Sequence, residues 1–147
     1  MEELNCKKET LPYTFEAPDL ESEIGEIERV ANKFDPTNKA RFILAFLQEA
    51  RSAPLVELSD QLWRHLDNTD SFQFGPGDWE SVARHADYYK RDWQLLKQKM
   101  ESGKSVGAPI VVKVENQMHL VSGNTRLMIA RALGIRPKVL LVDMAFR

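Results

Sequence analysis

Five consecutive residues, Ser122-Gly123-Asn124-Thr125-Arg126, hold the side chains best suited to chemistry in this 147-residue chain. They follow a short apolar run, Leu120-Val121, and open a helical pattern that continues to Leu133. Gly123 can take a positive φ that other residues resist. Ser122, Asn124 and Thr125 are all competent helix N-caps. A helix start presents unpaired N–H groups and a partial positive charge, which together attract anions. Arg126 falls in that first turn, where a cation is slightly unfavourable unless an anion sits beside it. Its guanidinium fork matches phosphate oxygens. Two readings follow from local physics: a phosphate seat, or a plain strand-to-helix corner with Arg126 paired to a surface acid.

Other chemistry-bearing residues are scattered. Arg131, Arg136 and Lys138 can line a polyphosphate or nucleic acid, but as a solvated face and a last turn matched to the helix dipole they need no ligand. His65, His85 and His119 lack metal-ligand spacing, and structural roles are expected for them. His119 is the exception worth following, because its strand leads into the corner; alternation along that strand decides where it points. "HADYYKRDW" (85–93) interleaves aromatics and cations, a pattern able to stack on single-stranded nucleic acid. Amphipathic packing explains it more simply, with Tyr89 and Trp93 in the core. Glu101, Glu115 and Asp143 are the acids near the C-terminal segment. Cys6 is the only cysteine, so neither an internal disulfide nor a cysteine zinc cluster can form, and an inert role is expected for it.

The elements that must position these residues change character along the chain. Residues 1–17 have no period and are expected to form an arm. Leu20, Ile24, Ile27, Ala31 and Phe34 recur at helical spacing. Asp35-Pro36 looks like a cap and first position for a second helix carrying Phe42, Ile43, Ala45, Phe46 and Ala50. Leu55, Leu58, Leu62 and Leu66 predict a third helix. "SFQFGPGD" is a loop, after which Asp78 is expected to cap a fourth helix over 79–102, stopped by Gly103. Beyond Gly107 the pattern turns to strands: 109–114, a turn at "ENQ", 118–121, then a helix from about Thr125 to Leu133, then a strand over 137–144. The expected fold class is α+β. A helical N-terminal region (1–103, about four helices) precedes a β-hairpin–helix–strand core (104–147), which forms one compact unit with the helix at 79–102.

Composition sets the outer bounds. Hydrophobic residues make up 43% of the chain, charged residues 29%, and the formal net charge is −2, so no global basic field points to nucleic acid. No apolar run approaches the ~20 residues needed to span a bilayer. The N-terminus "MEELNCKKE" lacks the apolar segment of a secretory signal, so a cytoplasmic location and no membrane partner are expected.

The stretch "ESGKSVGAPIVVKVENQMHLVSGNTRLMIARALGIRPKVLLVDM", about residues 101–144, resembles the ParB/sulfiredoxin superfamily. The resemblance rests on the "PIVV" strand, the hairpin, a Gly-x-x-Arg helix start, and Ala-x-x-Leu-Gly before a final strand. It implies a small mixed sheet with helices and a nucleotide, ATP or CTP, whose phosphates sit at the helix N-terminus on Ser122, Gly123, Asn124, Thr125 and Arg126. Gly123 and Arg126 fall on the family's Gly and Arg; Asn124 and Thr125 fall on its variable pair. Chromosome-partitioning ParB proteins place a hydrolysis-linked Glu at the Asn124 position. Sulfiredoxins place Cys and His at the Asn124 and Thr125 positions, which excludes their reaction here. The free-serine kinases carry Asp-Gly-His-His-Arg, of which Ser122 replaces the Asp and neither His remains. If the chain is catalytic, the resemblance implies phosphotransfer or nucleotide hydrolysis through Asn124, Thr125 and Arg126, with Mg²⁺ as a possible companion and His119, Glu115 or Asp143 as base. The alternative readings are a non-catalytic DNA-associated module of the same fold and a plain interaction protein with a vestigial pocket; the sequence does not fix the oligomeric state, and a homodimer is one assembly it allows.

Overall fold

The computed structural model describes residues 14–144, so Cys6 and most of the expected arm lie outside the described residues. In chain order the elements are β1 (Phe15–Glu16), α1 (Ile24–Phe34), α2 (Lys39–Arg51), β2 (Leu55–Glu57), α3 (Asp60–Arg64), α4 (Trp79–Tyr88), α5 (Trp93–Glu101), β3 (Val106–Gly107), β4 (Ile110–Val114), β5 (Gln117–Ser122), α6 (Asn124–Leu133) and β6 (Lys138–Asp143). Short 3₁₀ turns cover Glu21–Glu23 and Ser71–Gln73. The fold is mixed α+β, as expected from the sequence.

The apolar runs "IVVKV" and "KVLLVD" become central strands because both of their faces are covered. Four strands lie in the order β2-β6-β4-β5, with β4 and β6 parallel and the other neighbours antiparallel. On one face, Ile110, Val112, Val121 and Val142 pack against Ile27, Val30, Phe42 and Phe46 of α1 and α2. On the other, Val111, Leu120 and Val139 pack against Trp63 of α3 and Leu127 and Ala130 of α6. A further cluster joins Val82 of α4 and Met100 of α5 to Met128, Ile129 and Ala132 of α6. With Leu127 through Ala130 all buried, α6 is covered on every side and forms the centre of the molecule.

Three expected elements differ. The third helix is replaced by β2, then the short α3. Leu55 packs into the α1–α2 core and Val56 into the α3–α6 core, a period of two. The ladder Leu55↔Leu140, Val56↔Val139 and Glu57↔Lys138 covers what would otherwise be an open edge of β6. The helical spacing of Leu55, Leu58, Leu62 and Leu66 is therefore coincidental, and α3 starts only where the Ser59 hydroxyl accepts from the Leu62 N–H at 3.2 Å. Asp35 does not cap α2. As the residue before a proline it is pushed out of the helical region, and it closes α1 instead, its N–H donating to Ala31 O at 2.8 Å.

The expected fourth helix is broken into α4 and α5. Lys90 takes φ 58°, its N–H donates to Asp87 O at 3.1 Å, and the Arg91 N–H donates to Ala86 O at 2.8 Å. This is a Schellman end, with a lysine in the left-handed position usually held by glycine. Asp92 restarts the helix by accepting from the Leu95 N–H at 3.2 Å. Tyr89 is consequently 54% exposed, not core. The nominally helical first part of the chain also supplies strands on both sides of the C-terminal core: β2 joins the main sheet, and β1 pairs in parallel with β3.

Candidate functional site

The site is built outward from Gly123. It is the N-cap of α6, with φ 108°, in the region L side chains rarely adopt. A Cβ there would lie 2.6 Å from Pro109 Cβ and 2.8 Å from Pro109 Cα. Both the dihedral and the space demand glycine, and the tight turn lets β5 feed directly into α6. No side chain caps the helix; its first intrahelical bond runs from the Leu127 N–H to Gly123 O at 3.0 Å. The backbone N–H groups of Asn124, Thr125 and Arg126 are therefore the uncapped donors of this end.

These residues form one wall of a cleft of about 630 Å³. Ser122, Gly123, Asn124, Thr125 and Arg126 all line it. Facing them are Asn68, Thr69 and Asp70 from the segment after α3, His85 and Tyr89 from α4, Arg91 and Asp92 from the α4–α5 break, and Glu23, Glu26 and Arg29 from the start of α1.

Segment 67–71 is fixed by main-chain and side-chain bonds. The Asp67 N–H donates to Met118 O and the Leu120 N–H to Asp67 O, both at 2.9 Å, so Asp67 extends the edge of β5. Asn68, at φ 69°, donates from Nδ2 to Leu120 O at 2.8 Å. A polar chain then runs inward: Trp63 Nε1 donates to Ser71 Oγ at 2.7 Å, Ser71 and Thr69 hydroxyls lie 2.9 Å apart, and Thr69 Oγ1 donates to Asn124 Oδ1. Ser71 is fully buried, which makes this network rigid. It leaves the Asn124 NH₂ as the amide's remaining donor. The Ser122 hydroxyl is a buried oxygen with no hydrogen-bond partner among the described residues.

Arg126 is committed to the fold. Its Nη1 donates to Gly107 O and lies 3.5 Å from Ala108 O, and its Nη2 is 3.5 Å from Glu23 Oε2. It thereby ties α6 to β3 and to the turn before α1. Burial pulls its pKa below the ordinary value; Glu23 opposes the fall and the nearby charge of Arg91 adds to it. Of the corner reading, the arginine–acid pair is thus present, although both partners are largely buried. Arg29 is held by Glu26 at 3.5 Å. Arg91, in contrast, has no carboxylate in ion-pair distance among the described residues. Three guanidiniums thus line the cleft, Arg29, Arg91 and Arg126, and of these Arg91 alone has no counter-charge in ion-pair distance among the described residues.

The three expected accessory groups lie elsewhere. His119 and Val121 face the α1–α2 side of the sheet, where His119 meets Phe34 edge-on at 5.4 Å, whereas Leu120 faces α6. Burial, then Lys33, holds the His119 pKa below its ordinary value, with Asp67 opposing. Glu115 is exposed in the β4–β5 turn at φ 56°, and Asp143 pairs with Lys113 in the ladder beside that turn. Ser122, at the other end of β5, is five residues from Gln117, ~17 Å along the strand. The basic group is also occupied. Arg131 donates to Phe74 O at 2.9 Å and stacks over Phe72 and Trp63, while Arg136 pairs with Glu57 and Asp60. Lys138 sits opposite Glu57 in the β2–β6 ladder.

Sequence reasoning missed Thr69, Asp70 and Asp92, read Arg91 only as a cation of the 85–93 run, assigned Tyr89 to the core and gave His85 a structural role. His85 Nε2 lies 3.8 Å from Asp70 Oδ1 at the cleft wall, and its Nδ1 is buried without a partner. One sequence signal was available: "KRDW" followed by Leu95 has the form of a helix stop and a new Asp cap. Among the described residues no group of three or more His, Cys, Asp or Glu is placed to hold a metal ion, and no helix is long and apolar enough to cross a membrane. No family model, curated protein or solved structure matches the chain.

Proposed function

We propose that the cleft binds a phosphate-bearing nucleotide, ATP or CTP, with its phosphates on the N-terminus of α6. The observation that carries this reading is the uncapped helix end at Gly123–Arg126 opening onto the same cleft as the unpaired Arg91. Backbone N–H groups of Asn124 and Thr125 supply the donors, and the helix end supplies partial positive charge. Arg91 supplies a guanidinium with no carboxylate partner among the described residues, and a phosphate between Arg91 and Arg126 relieves the repulsion between them. The buried Ser122 hydroxyl, without a partner among the described residues, adds one donor, and the NH₂ of the Asn124 amide, whose Oδ1 is held by Thr69, adds another. Asp70 and Asp92 offer hard carboxylate oxygens to the Mg²⁺ that accompanies a nucleoside triphosphate. The resemblance of residues 101–144 to ParB/sulfiredoxin proteins supports the same placement. The DNA-binding alternative gains no support from Arg131 and Arg136, which are held by Asp60 and Glu57.

The test is a thermal-shift titration of the purified chain with ATP, CTP and GTP, with and without Mg²⁺. At least one nucleotide raises Tm in a saturable way, and Arg91→Ala weakens that effect without lowering Tm in the absence of nucleotide. If no nucleotide moves Tm at millimolar concentration, the reading is wrong.

A further inference from the structure

Tyr89 is an exposed aromatic that lines the cleft. It follows the last turn of α4, 54% exposed, because the left-handed Lys90 stops the helix before the ring can be covered. It is nonetheless braced. His85, one turn earlier, lies against it with ring centroids 4.8 Å apart and planes tilted by 36°. Tyr88 meets it edge-on at 4.8 Å. His85 is itself fixed by Phe74, edge-on at 6.0 Å, and by Asp70. An aromatic ring that is backed by other rings yet left open to solvent loses little side-chain freedom when a planar group settles on it. That is the energetic requirement for a stacking platform.

The position of this ring makes the platform specific. Tyr89 lines the same cleft as the N-terminus of α6, and so does Arg91, two residues on. A volume of about 630 Å³ is ample for a ligand carrying both a phosphate and a ring. We propose that Tyr89, braced by His85, is the base-stacking platform of this cleft. The ligand class is then a nucleotide held at both ends, not a simple phosphate or a phosphorylated sugar. This rests on the phosphate reading above and adds what recognises the other end of the ligand.

The experiment compares ATP with inorganic tripolyphosphate, which keeps the charge and lacks the ring, by isothermal titration on wild type, Tyr89→Ala and Tyr89→Phe. Wild type binds ATP more tightly than tripolyphosphate. Tyr89→Ala weakens ATP binding roughly tenfold, in the range of one lost base–aromatic stack, and leaves tripolyphosphate binding unchanged. Tyr89→Phe keeps both, because the ring and not the hydroxyl carries the contact. The exposure of Tyr89 leaves the fold intact in these variants, which circular dichroism and Tm verify. Equal affinity for ATP and tripolyphosphate, or an equal loss of both in Tyr89→Ala, overturns the platform while the phosphate reading stands. Binding of neither ligand to wild type overturns both.

Discussion

Asn124→Asp separates the two readings of the α6 N-terminus in one variant. Asn124 is the first residue of α6, and its Oδ1 accepts from Thr69 Oγ1. An aspartate keeps an acceptor for Thr69, so the Trp63–Ser71–Thr69 chain is preserved. Its negative charge complements the helix end and adds ~0.3–1 kcal/mol, which raises Tm by roughly 1–4 °C in a chain of this size. The same charge opposes a phosphate. At ~4 Å the repulsion runs from about 1 kcal/mol in water-like surroundings to about 4 kcal/mol near a protein surface, so nucleotide affinity falls roughly five- to a thousandfold. At nucleotide one hundred times its wild-type Kd, ligand stabilisation is ~2.7 kcal/mol; after a hundredfold loss it is ~0.4 kcal/mol. Differential scanning fluorimetry at one fixed nucleotide concentration therefore shows two opposite movements: a higher Tm without ligand and an almost abolished shift with it. A variant that melts lower without ligand refutes the account of the uncapped helix end. One that keeps the full nucleotide shift refutes the placement of the phosphate.

Three further predictions follow from single contacts. Arg126→Ala removes the donor of Gly107 O and leaves the largely buried Glu23 without its cation; it lowers stability by roughly 2–3 kcal/mol in urea melts, and a variant as stable as wild type would show that the strut carries no weight. Lys90→Gly relieves a left-handed lysine at the end of α4 and raises stability by about 1 kcal/mol, whereas a fall in Tm contradicts that strain. His119 has a folded pKa below its unfolded one, so the unfolded chain binds the proton first as the medium is acidified. Stability contributed by the neutral ring is present above the ordinary histidine pKa and is lost as pH falls below it. Tm therefore drops between pH 7.5 and pH 5.5, and His119→Phe drops less; identical slopes in the two proteins refute the assignment.

Much of the C-terminal third was legible because its determinants are local. Gly134 stops α6 in a left-handed turn where the sequence predicts, and the strands around the hairpin follow their β-branched runs. The corner residues fall together on one cleft wall because a tight turn at Gly123 leaves little freedom in how β5 meets α6. The errors arose where local pattern and tertiary demand disagree. Leu55–Glu57 has leucines at helical spacing, but the exposed edge of β6 claims it as a strand. The run Val82, Ala86, Tyr89, Trp93 keeps an unbroken helical spacing across the helix stop at Lys90, so periodicity hides the break that exposes Tyr89.

The sequence by itself determined the α+β class, the glycine corner and the presence of an arginine in its first turn, since each depends on residues close together in the chain. The tertiary structure decided what those residues do. It turned Arg126 into a strut on Gly107 and Glu23, brought Arg91 and Tyr89 across from a helix break more than thirty residues earlier, and sent His119 to the opposite face of the sheet. The physical reason is that period and capping fix where an element starts and which face is apolar, whereas packing between elements fixes which polar groups find partners and which remain open to a ligand.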